Sequence, residues 1–429
     1  MSMTSDYPNS WYAATTQAGD PLQPLMGSVS TDVCIIGGGY TGLSAAIHLR
    51  KLGYEVTVLE AKRVGWGASG RNGGHVGTGQ RAGQDQLEKW VGLEQARTLW
   101  QLGLDAVGLV ESLASEFTIE CELGRGNLHL ASKRSHDHEL REEVAHLQHK
   151  YSYDGVSYLP PKEVKEYTSA QGCHGGMLDD GARHLHPMQY VLGLRDAALS
   201  LGAKIYEHSP AESYKETIRV SVKTPMGSVR AQSLVLGCNG YLGQLEPRIA
   251  GNIMPINNFM IATAPLSDEL RAAINPMNVS LSDSLFVIDY WKFSADGRLL
   301  FGGGENYTSR FPKDIKSFVR PYMLKLYPEL AETDIDYGWG GTLGITMNRM
   351  PDFGRLGRHV FYAQGFSGHG VPTATMAGKL IAHAIDGDAE RFDLMASVPT
   401  RRFPGGTLLR WPGLVAGMLF YSLLDKLGR

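Results

Sequence analysis

Thr31-Asp-Val-Cys-Ile-Ile-Gly-Gly-Gly-Tyr-Thr-Gly-Leu43 decides the fold. Thr31–Ile36 has the pattern of a buried strand, and a helical pattern starts at Leu43 and runs to Leu52. Between them stands Gly37-Gly-Gly39-Tyr-Thr-Gly42, a GxGxxG turn. The first glycine permits the tight turn, the second lets backbone approach a pyrophosphate, and the third lets helix and strand pack closely. The helix N-terminus then offers its partial positive charge to the phosphates. Glu55-Val-Thr-Val-Leu-Glu60 reads as the next, parallel strand, and Glu60 at its end is placed to accept hydrogen bonds from ribose hydroxyls. The pattern predicts dinucleotide binding.

A second glycine run, Gly65-Trp-Gly-Ala-Ser-Gly-Arg-Asn-Gly-Gly74, follows almost at once. A nicotinamide-binding domain would continue there with another helix. A glycine-lined track can instead wrap a diphosphate and pass beside a flavin ring, so FAD is expected rather than NAD. Further on, helices are predicted over 86–117, 135–150 and 188–201, and a strand over 203–207. A hairpin is predicted from 218–224 and 228–236 about Pro225-Met-Gly227, with strand-rich sequence over 258–304. A late strand at 359–363 leads through a glycine-rich turn into a helix over 373–386. Nucleotide-type strand-turn signals thus recur near 234 and 360, which fits a nucleotide domain split by insertions.

Bulk composition agrees. The chain has 429 residues, 43% hydrophobic and 20% charged, enough for two cores. A net charge of -3 without a basic tract argues against a nucleic-acid partner. The four cysteines (34, 121, 173 and 238) form no CxxC pair and no metal spacing, so no metal is expected and a reducing cytoplasm is. Residues 1–27 lack the basic and apolar regions of a signal peptide or anchor. The C-terminal run 408–424 is apolar at one helical spacing and flanked by Arg410 and Lys426. Docking on the protein's own surface is one reading, and peripheral attachment to the inner membrane face is the other.

The opening motif, the 65–74 run and Gly365-Phe-Ser-Gly-His-Gly370 together resemble the D-amino-acid oxidase family of flavoproteins over most of the chain. Within it, Ser10-Trp-Tyr-Ala-Ala14, the extended run from Val64, Leu185-His-Pro187 and Leu299-Leu-Phe-Gly-Gly303 are similar to the gamma-glutamylputrescine oxidoreductase group. The resemblance implies an α/β fold: a Rossmann-type FAD-binding domain split in sequence (1–85, 151–245 and 340–400) and an α+β substrate domain on an antiparallel sheet (86–150 and 246–339). Residues 401–429 would be the C-terminal amphipathic helix. It implies FAD contacts at Gly37, Gly39, Tyr40, Thr41, Gly42, Glu60 and Ala61, and along Ser69, Gly70, Arg71, Asn72, Gly73 and Gly74. Ala211 would meet the adenine, Asn239 and Gly240 would lie near the diphosphate, and Gly368, His369, Gly370 and Val371 would pass the flavin pyrimidine edge. Some relatives tether flavin to a downstream cysteine. No cysteine follows Cys238 here, so noncovalent FAD is expected.

The implied reaction is oxidation of an amine C–N bond by hydride transfer to flavin, giving an imine and then an aldehyde plus ammonia. Gamma-glutamylputrescine or a similar amine is the expected substrate, with oxygen or another electron acceptor. Oxidation of a secondary amino acid such as sarcosine or pipecolate is the alternative within this chemistry. A non-catalytic electron-relay subunit is the alternative of another class. Four residues are candidates for catalysis. His75 could deprotonate the amine or tune the flavin, and His369 could contact it. Lys292 could promote reaction with oxygen, although family members carry a lysine one strand later, where this chain has Leu300 or Phe301. Arg349 could pair with a substrate carboxylate. For each, a structural or solvated role is the plain alternative. Trp339, Tyr290 and Phe366 could wall an apolar pocket.

Overall fold

A computed structural model describes residues 7–306, 310–408 and 410. Its central sheet has six strands in the order Asp352–Leu356, Val360–Gln364, Ser233–Leu236, Val33–Ile36, Val56–Leu59, Lys204–Tyr206. Pairings among the last five are parallel, and the edge strand Asp352–Leu356 is antiparallel to its neighbour. The chain order runs one way from Val33–Ile36 towards Lys204–Tyr206 and the other way towards Val360–Gln364. That reversal opens a crevice at the carboxyl ends of the strands, where such sheets bind ligands. Both faces of the sheet are covered, which is why its first strands read as unbroken apolar runs. Val33 and Ile35 join a core with the helices Tyr40–Lys51, Leu93–Glu116, Pro187–Ser200 and Gly370–Asp386. Cys34 and Ile36 face a four-stranded sheet made by Gly27–Ser30, Gly227–Ala231, Val220–Lys223 and Ser213–Glu216.

The second large sheet has nine strands, from Ile335–Ile345 at one edge to His75–Val76 at the other. Its pairings are antiparallel except for Ser280–Asp283 on Gly124–Leu130, which is parallel. Phe259, Ile261, Trp291 and Phe301 pack its outer face against the helix Ile315–Leu326. Met260 and Leu300 point the other way, into the helical core.

Three local differences from the sequence reading have physical causes. The run 228–236 does not form one hairpin arm. It divides at Gln232, because the Asp32 carbonyl accepts hydrogen bonds from both Gln232 and Ser233 and draws the second half into the central sheet. The predicted helix over 86–117 is two, Gln84–Val91 and Leu93–Glu116, broken where Gly92 takes φ +83°. Val156–Leu159 and Gly176–His184, grouped with the nucleotide segments by sequence, pair within the nine-stranded sheet. The C-terminal run 408–424 lies almost wholly outside the described residues. Among the described residues no helix is long and apolar enough to cross a membrane.

Gly42 tests the packing directly. A Cβ there would stand 2.0 Å from the Gly37 carbonyl oxygen, whereas a Cβ on Gly108, inside the helix Leu93–Glu116, would meet nothing within 4 Å. Gly42→Ala is expected to cost about 1–3 kcal/mol by overpacking, while Gly108→Ala should be neutral or stabilise by up to about 1 kcal/mol. Denaturant midpoints of the two variants decide it, and equal midpoints would remove the packing argument.

Candidate active site

One cavity of about 970 Å³ begins at the crevice of the central sheet and continues under the nine-stranded sheet. At the crevice end its wall is Gly37–Thr41, Glu60, Ala61 and Ala211. Gly39 is the cap residue of the helix Tyr40–Lys51 and has no side chain to cap it; the first helical N–H, of Tyr40, is met from outside by Ser69 Oγ. Glu60 does not wait idle for a ribose: its two oxygens accept from the backbone N–H of Gly38 (2.7 Å) and of Lys62 (2.9 Å). Burial nonetheless pushes its carboxyl above the ordinary range.

The second glycine run folds into a closed loop locked to the first. Ser69 Oγ accepts from the Tyr40 N–H at 3.1 Å, and a Cβ on Gly39 would stand 2.8 Å from that oxygen. Asn72 donates to the carbonyls of Ala68 and Ser69 and accepts from the Gly74 N–H at 2.8 Å. Gly70 and Gly74 are needed for backbone approach rather than as wall. Their Cβ atoms would meet the Gly65 and Leu185 carbonyls at 2.3 and 2.0 Å. Gly240 packs likewise on Leu343, and neighbouring Asn239 accepts from the Gly365 N–H at 2.9 Å, tying two turns together. Arg71 lies along the wall, stacked 4.2 Å from the Trp66 ring centre. Its Nε and Nη1 donate to the Trp66 and Gly340 carbonyls, but Nη2 is buried without a partner.

The four catalytic candidates separate. His75 lines the cavity, but Nδ1 lies 3.2 Å from the Gly73 carbonyl and Nε2 lies 3.1 Å from that of Leu281. Burial lowers the imidazole to about 4, so the neutral ring carries one N–H and donates it to one of these two carbonyls. The ring clamps the glycine loop to the strand Ser280–Asp283. His369 precedes the helix Gly370–Asp386, lines the cavity, and has Nε2 buried without a partner. Burial, helped by the Arg81 charge, lowers it too to about 4. Arg349 sits at φ +66° in a turn closed by the hydrogen bond from Thr346 Oγ1 to the Met350 carbonyl, and its guanidinium lies 5.2 Å from the Phe286 ring. Both side chains line the cavity.

Lys292 is not a solvated strand residue. It is 1% exposed and lies behind the glycine loop, its Cε 3.2 Å from where a Gly74 Cβ would be. Burial lowers its ammonium to about 8 against the pull of Glu122. Leu300 is its direct cross-strand partner. Of the three aromatics, Tyr290 and Phe366 line the cavity. Trp339 stands behind Arg71, whose carbonyl accepts its indole N–H at 3.0 Å.

Arg81, Asn127, His129 and Glu143 also line the cavity and escaped the sequence reading. Arg81 alone carried a signal, since it closes the glycine-rich stretch that begins at Gly65.

A family model described as FAD dependent oxidoreductase (DAO) matches residues 32–384. The chain belongs to this family. Gamma-glutamylputrescine oxidoreductase of Escherichia coli is 37% identical over 425 residues, covering 99% of this chain and all of that one. The probable oxidoreductase OrdL of Rhizobium meliloti is 40% identical, covering 97% of each. Among solved structures, glycine oxidase of Geobacillus kaustophilus superposes with a TM-score of 0.74 at 20% identity, over 87% of this chain and 100% of that one. L-Proline dehydrogenase of P. horikoshii gives 0.69 at 21% identity, over 86% and 96%. Both share the fold. This DAO-family chain is an FAD-dependent oxidoreductase of the amine and amino-acid type.

Six histidines predict the acid response: His48, His184 and His186 are buried, and His75, His129 and His369 are half-buried at the cavity wall. Burial lowers His48, His75, His129 and His369 to about 4, and His184 and His186 to about 3. In the unfolded chain they titrate near ~6.5. The unfolded state therefore binds more protons between those values, and stability falls as pH drops from about 6.5 towards 4. Burial raises Asp283 to about 6 and Asp289 to about 7, and also raises Glu60, Glu122, Glu143, Asp179 and Asp352, so the carboxyls oppose the histidines across this window. A single histidine isolates its own share: His48→Gln should lose less stability than wild type between about pH 6.5 and about 4 by denaturant midpoint, and an equal slope in the two proteins would refute the assignment.

Proposed function

We propose that this enzyme oxidises the primary amine of a γ-glutamyl amine such as gamma-glutamylputrescine, giving an aldehyde and ammonia. The observation that carries it is the continuity of one cavity from the helix start at Gly39, past a glycine-lined loop, to Asn127 and His129 beyond. The named activity of the Escherichia coli relative, 37% identical over its full length, supports the substrate class.

The residues present fit FAD. At Gly37 and Gly39 a Cβ would collide with the Gly237 carbonyl (2.7 Å) and Ser69 Oγ (2.8 Å), so only glycine allows the tight turn that brings backbone to the cavity wall, where a phosphate chain would be held. Among the described residues, Arg71 Nη2 and His369 Nε2 are buried polar atoms at the wall with no partner. Gly37, Gly39, Tyr40, Thr41 and the backbone near Asn239 would hold the diphosphate. Glu60, Ala61 and Ala211 would hold the adenosine. Arg71–Gly73, Gly368, Gly370 and Val371 would hold the ring end. FAD supplies the two-electron acceptor, which no side chain can provide.

The chain's own part is placement and electrostatics. Backbone donors at the start of the helix Gly370–Asp386 carry the partial positive charge that favours negative charge at the cavity. Tyr290, its hydroxyl 2.5 Å from Asn258 Oδ1, and Phe366 present a rigid wall against which an alkyl amine can be pressed. His75 keeps the glycine loop in register with the strand that faces it and moves no proton. Lys292, behind Gly74, acts on the loop from outside the cavity wall.

FAD is proposed to be held without a covalent bond. Cys238 is the one cysteine lining the cavity. It lies next to Asn239 in the crevice, and burial pushes its thiol up to about 12. Thiolate attack from there is disfavoured. Acid precipitation should therefore release all yellow colour to the supernatant. Mixed anaerobically with gamma-glutamylputrescine, the purified enzyme should bleach at 450–460 nm, about the usual flavin band, in one fast phase, while sarcosine and pipecolate should bleach it far more slowly. Fast bleaching by the secondary amino acids alone would overturn the substrate assignment, and no bleaching by any amine would favour an electron-relay role.

A further inference from the structure

Beyond the glycine loop the cavity runs along one face of the nine-stranded sheet. Tyr290 marks the near end, since a Cβ on Gly73 would stand 2.5 Å from its ring. Its cross-strand partner is Ser282, and Ser282 pairs in turn with His129 on the strand Gly124–Leu130. Two strand spacings, about 10 Å, separate Tyr290 from His129. Burial alternates along Gly124–Leu130. Leu128 and Leu130 enter the outer core, while Asn127 and His129 point the other way and line the cavity.

Both side chains are held by the neighbouring strand. Asn127 Nδ2 donates to Ser280 Oγ at 2.9 Å and to the Ser280 carbonyl at 3.3 Å, which leaves Oδ1 as an acceptor. His129 Nδ1 lies 2.8 Å from Ser282 Oγ. That hydroxyl has no other acceptor among the described residues. Burial, helped by the Arg81 charge, lowers the imidazole to about 4. Ser282 therefore donates to Nδ1, and the neutral ring carries its one N–H on Nε2. Among the described residues neither Asn127 Oδ1 nor His129 Nε2 is engaged, and neither is shut away in the protein.

Same-face neighbours on a strand are about 7 Å apart. The wall thus offers one uncharged acceptor and one uncharged donor, in fixed orientation, with room for a flat group between them. A secondary amide is such a group, because its N–H and C=O point in opposite directions. Sites that hold their polar atoms ready lose little on binding. A free diamine satisfies the acceptor alone.

We propose that Asn127 and His129 form the specificity subsite for the amide bond of an N-acylated diamine. Asn127 accepts from the amide N–H, His129 donates to the amide carbonyl, and the free amine at the other end lies at the glycine loop. The inference rests on the reading under Proposed function and names the residues that tell an acylated amine from a bare one.

Three amines with the same two ends test it, by anaerobic flavin reduction of holoenzyme that yields Kd and limiting rate separately. Gamma-glutamylputrescine has the amide. The γ-(4-aminobutyl) ester of glutamate keeps the carbonyl without the N–H. In 2,10-diaminodecanoic acid, methylenes replace both groups. Wild type should bind them in that order, each step costing about three- to tenfold in Kd. Asn127→Leu is expected to weaken the amide about three- to tenfold and to leave the other two within about twofold. His129→Phe should weaken amide and ester alike and spare the diamino acid. Limiting rates should change less than about threefold, a split that general damage to the site does not produce. FAD content near one per chain in each variant confirms that the fold is retained. Equal Kd for amide and ester in wild type, or equal weakening of all three compounds in either variant, overturns the subsite and leaves the activity standing. No reduction of wild type by gamma-glutamylputrescine overturns both.

Discussion

Two glycines fix how close three elements may come, and the rest of the site hangs on that distance. Gly42 brings the helix Tyr40–Lys51 against the Gly37 carbonyl, where a Cβ would be at 2.0 Å. Gly378 brings the helix Gly370–Asp386 against the first helix, where a Cβ would meet the Thr41 carbonyl at 2.4 Å and the Ala45 nitrogen at 2.5 Å. Two helix starts from opposite ends of the chain therefore open into one cavity. A dinucleotide is an anion at its middle, and the ring it carries gains charge on reduction. On the proposed reading, one helix start would serve the first charge and the other the second. Neither service survives if the helices are spread by the width of a methyl group.

The loops between them are set by hydrogen bonds that span long stretches of sequence. Ser69 answers Tyr40, Asn239 answers Gly365, and the Trp339 indole answers Arg71. The N-terminal Trp11 and Tyr12 close this assembly from behind, with Tyr12 edge-on to Trp339 at 5.2 Å and to His186 at 4.8 Å. His186 in turn caps the helix Pro187–Ser200 by accepting from the Gln189 N–H. The short motifs that look unrelated in sequence, Ser10–Ala14 and Leu185–Pro187, are parts of one support for the wall that carries Arg71.

That division explains what could be read without coordinates. The first βαβ unit and the glycine turn were legible because their constraints are local: strand and helix periods, and turns only glycine can make. FAD was legible from the second glycine run for the same reason. The split of 227–236 between two sheets was not, because the Asp32 carbonyl that decides it lies two hundred residues away. The same holds for side-chain roles. His75 and Lys292 both read as reactive from their place in the chain. Only the structure shows that the imidazole is held between two backbone carbonyls and that the lysine lies behind Gly74, outside the cavity wall.

The charges within the cavity have a consequence for the chemistry. An amine must lose its proton before the carbon beside it can give up a hydride, so the reacting end needs surroundings that disfavour ammonium. The flavin end provides them. His75 and His369 are held neutral by burial, the nearby fixed charges of Arg71 and Arg81 are positive, and a helix start adds to them. On the proposed reading, a substrate amine brought to this end would be favoured in its neutral form without a side-chain base at the ring.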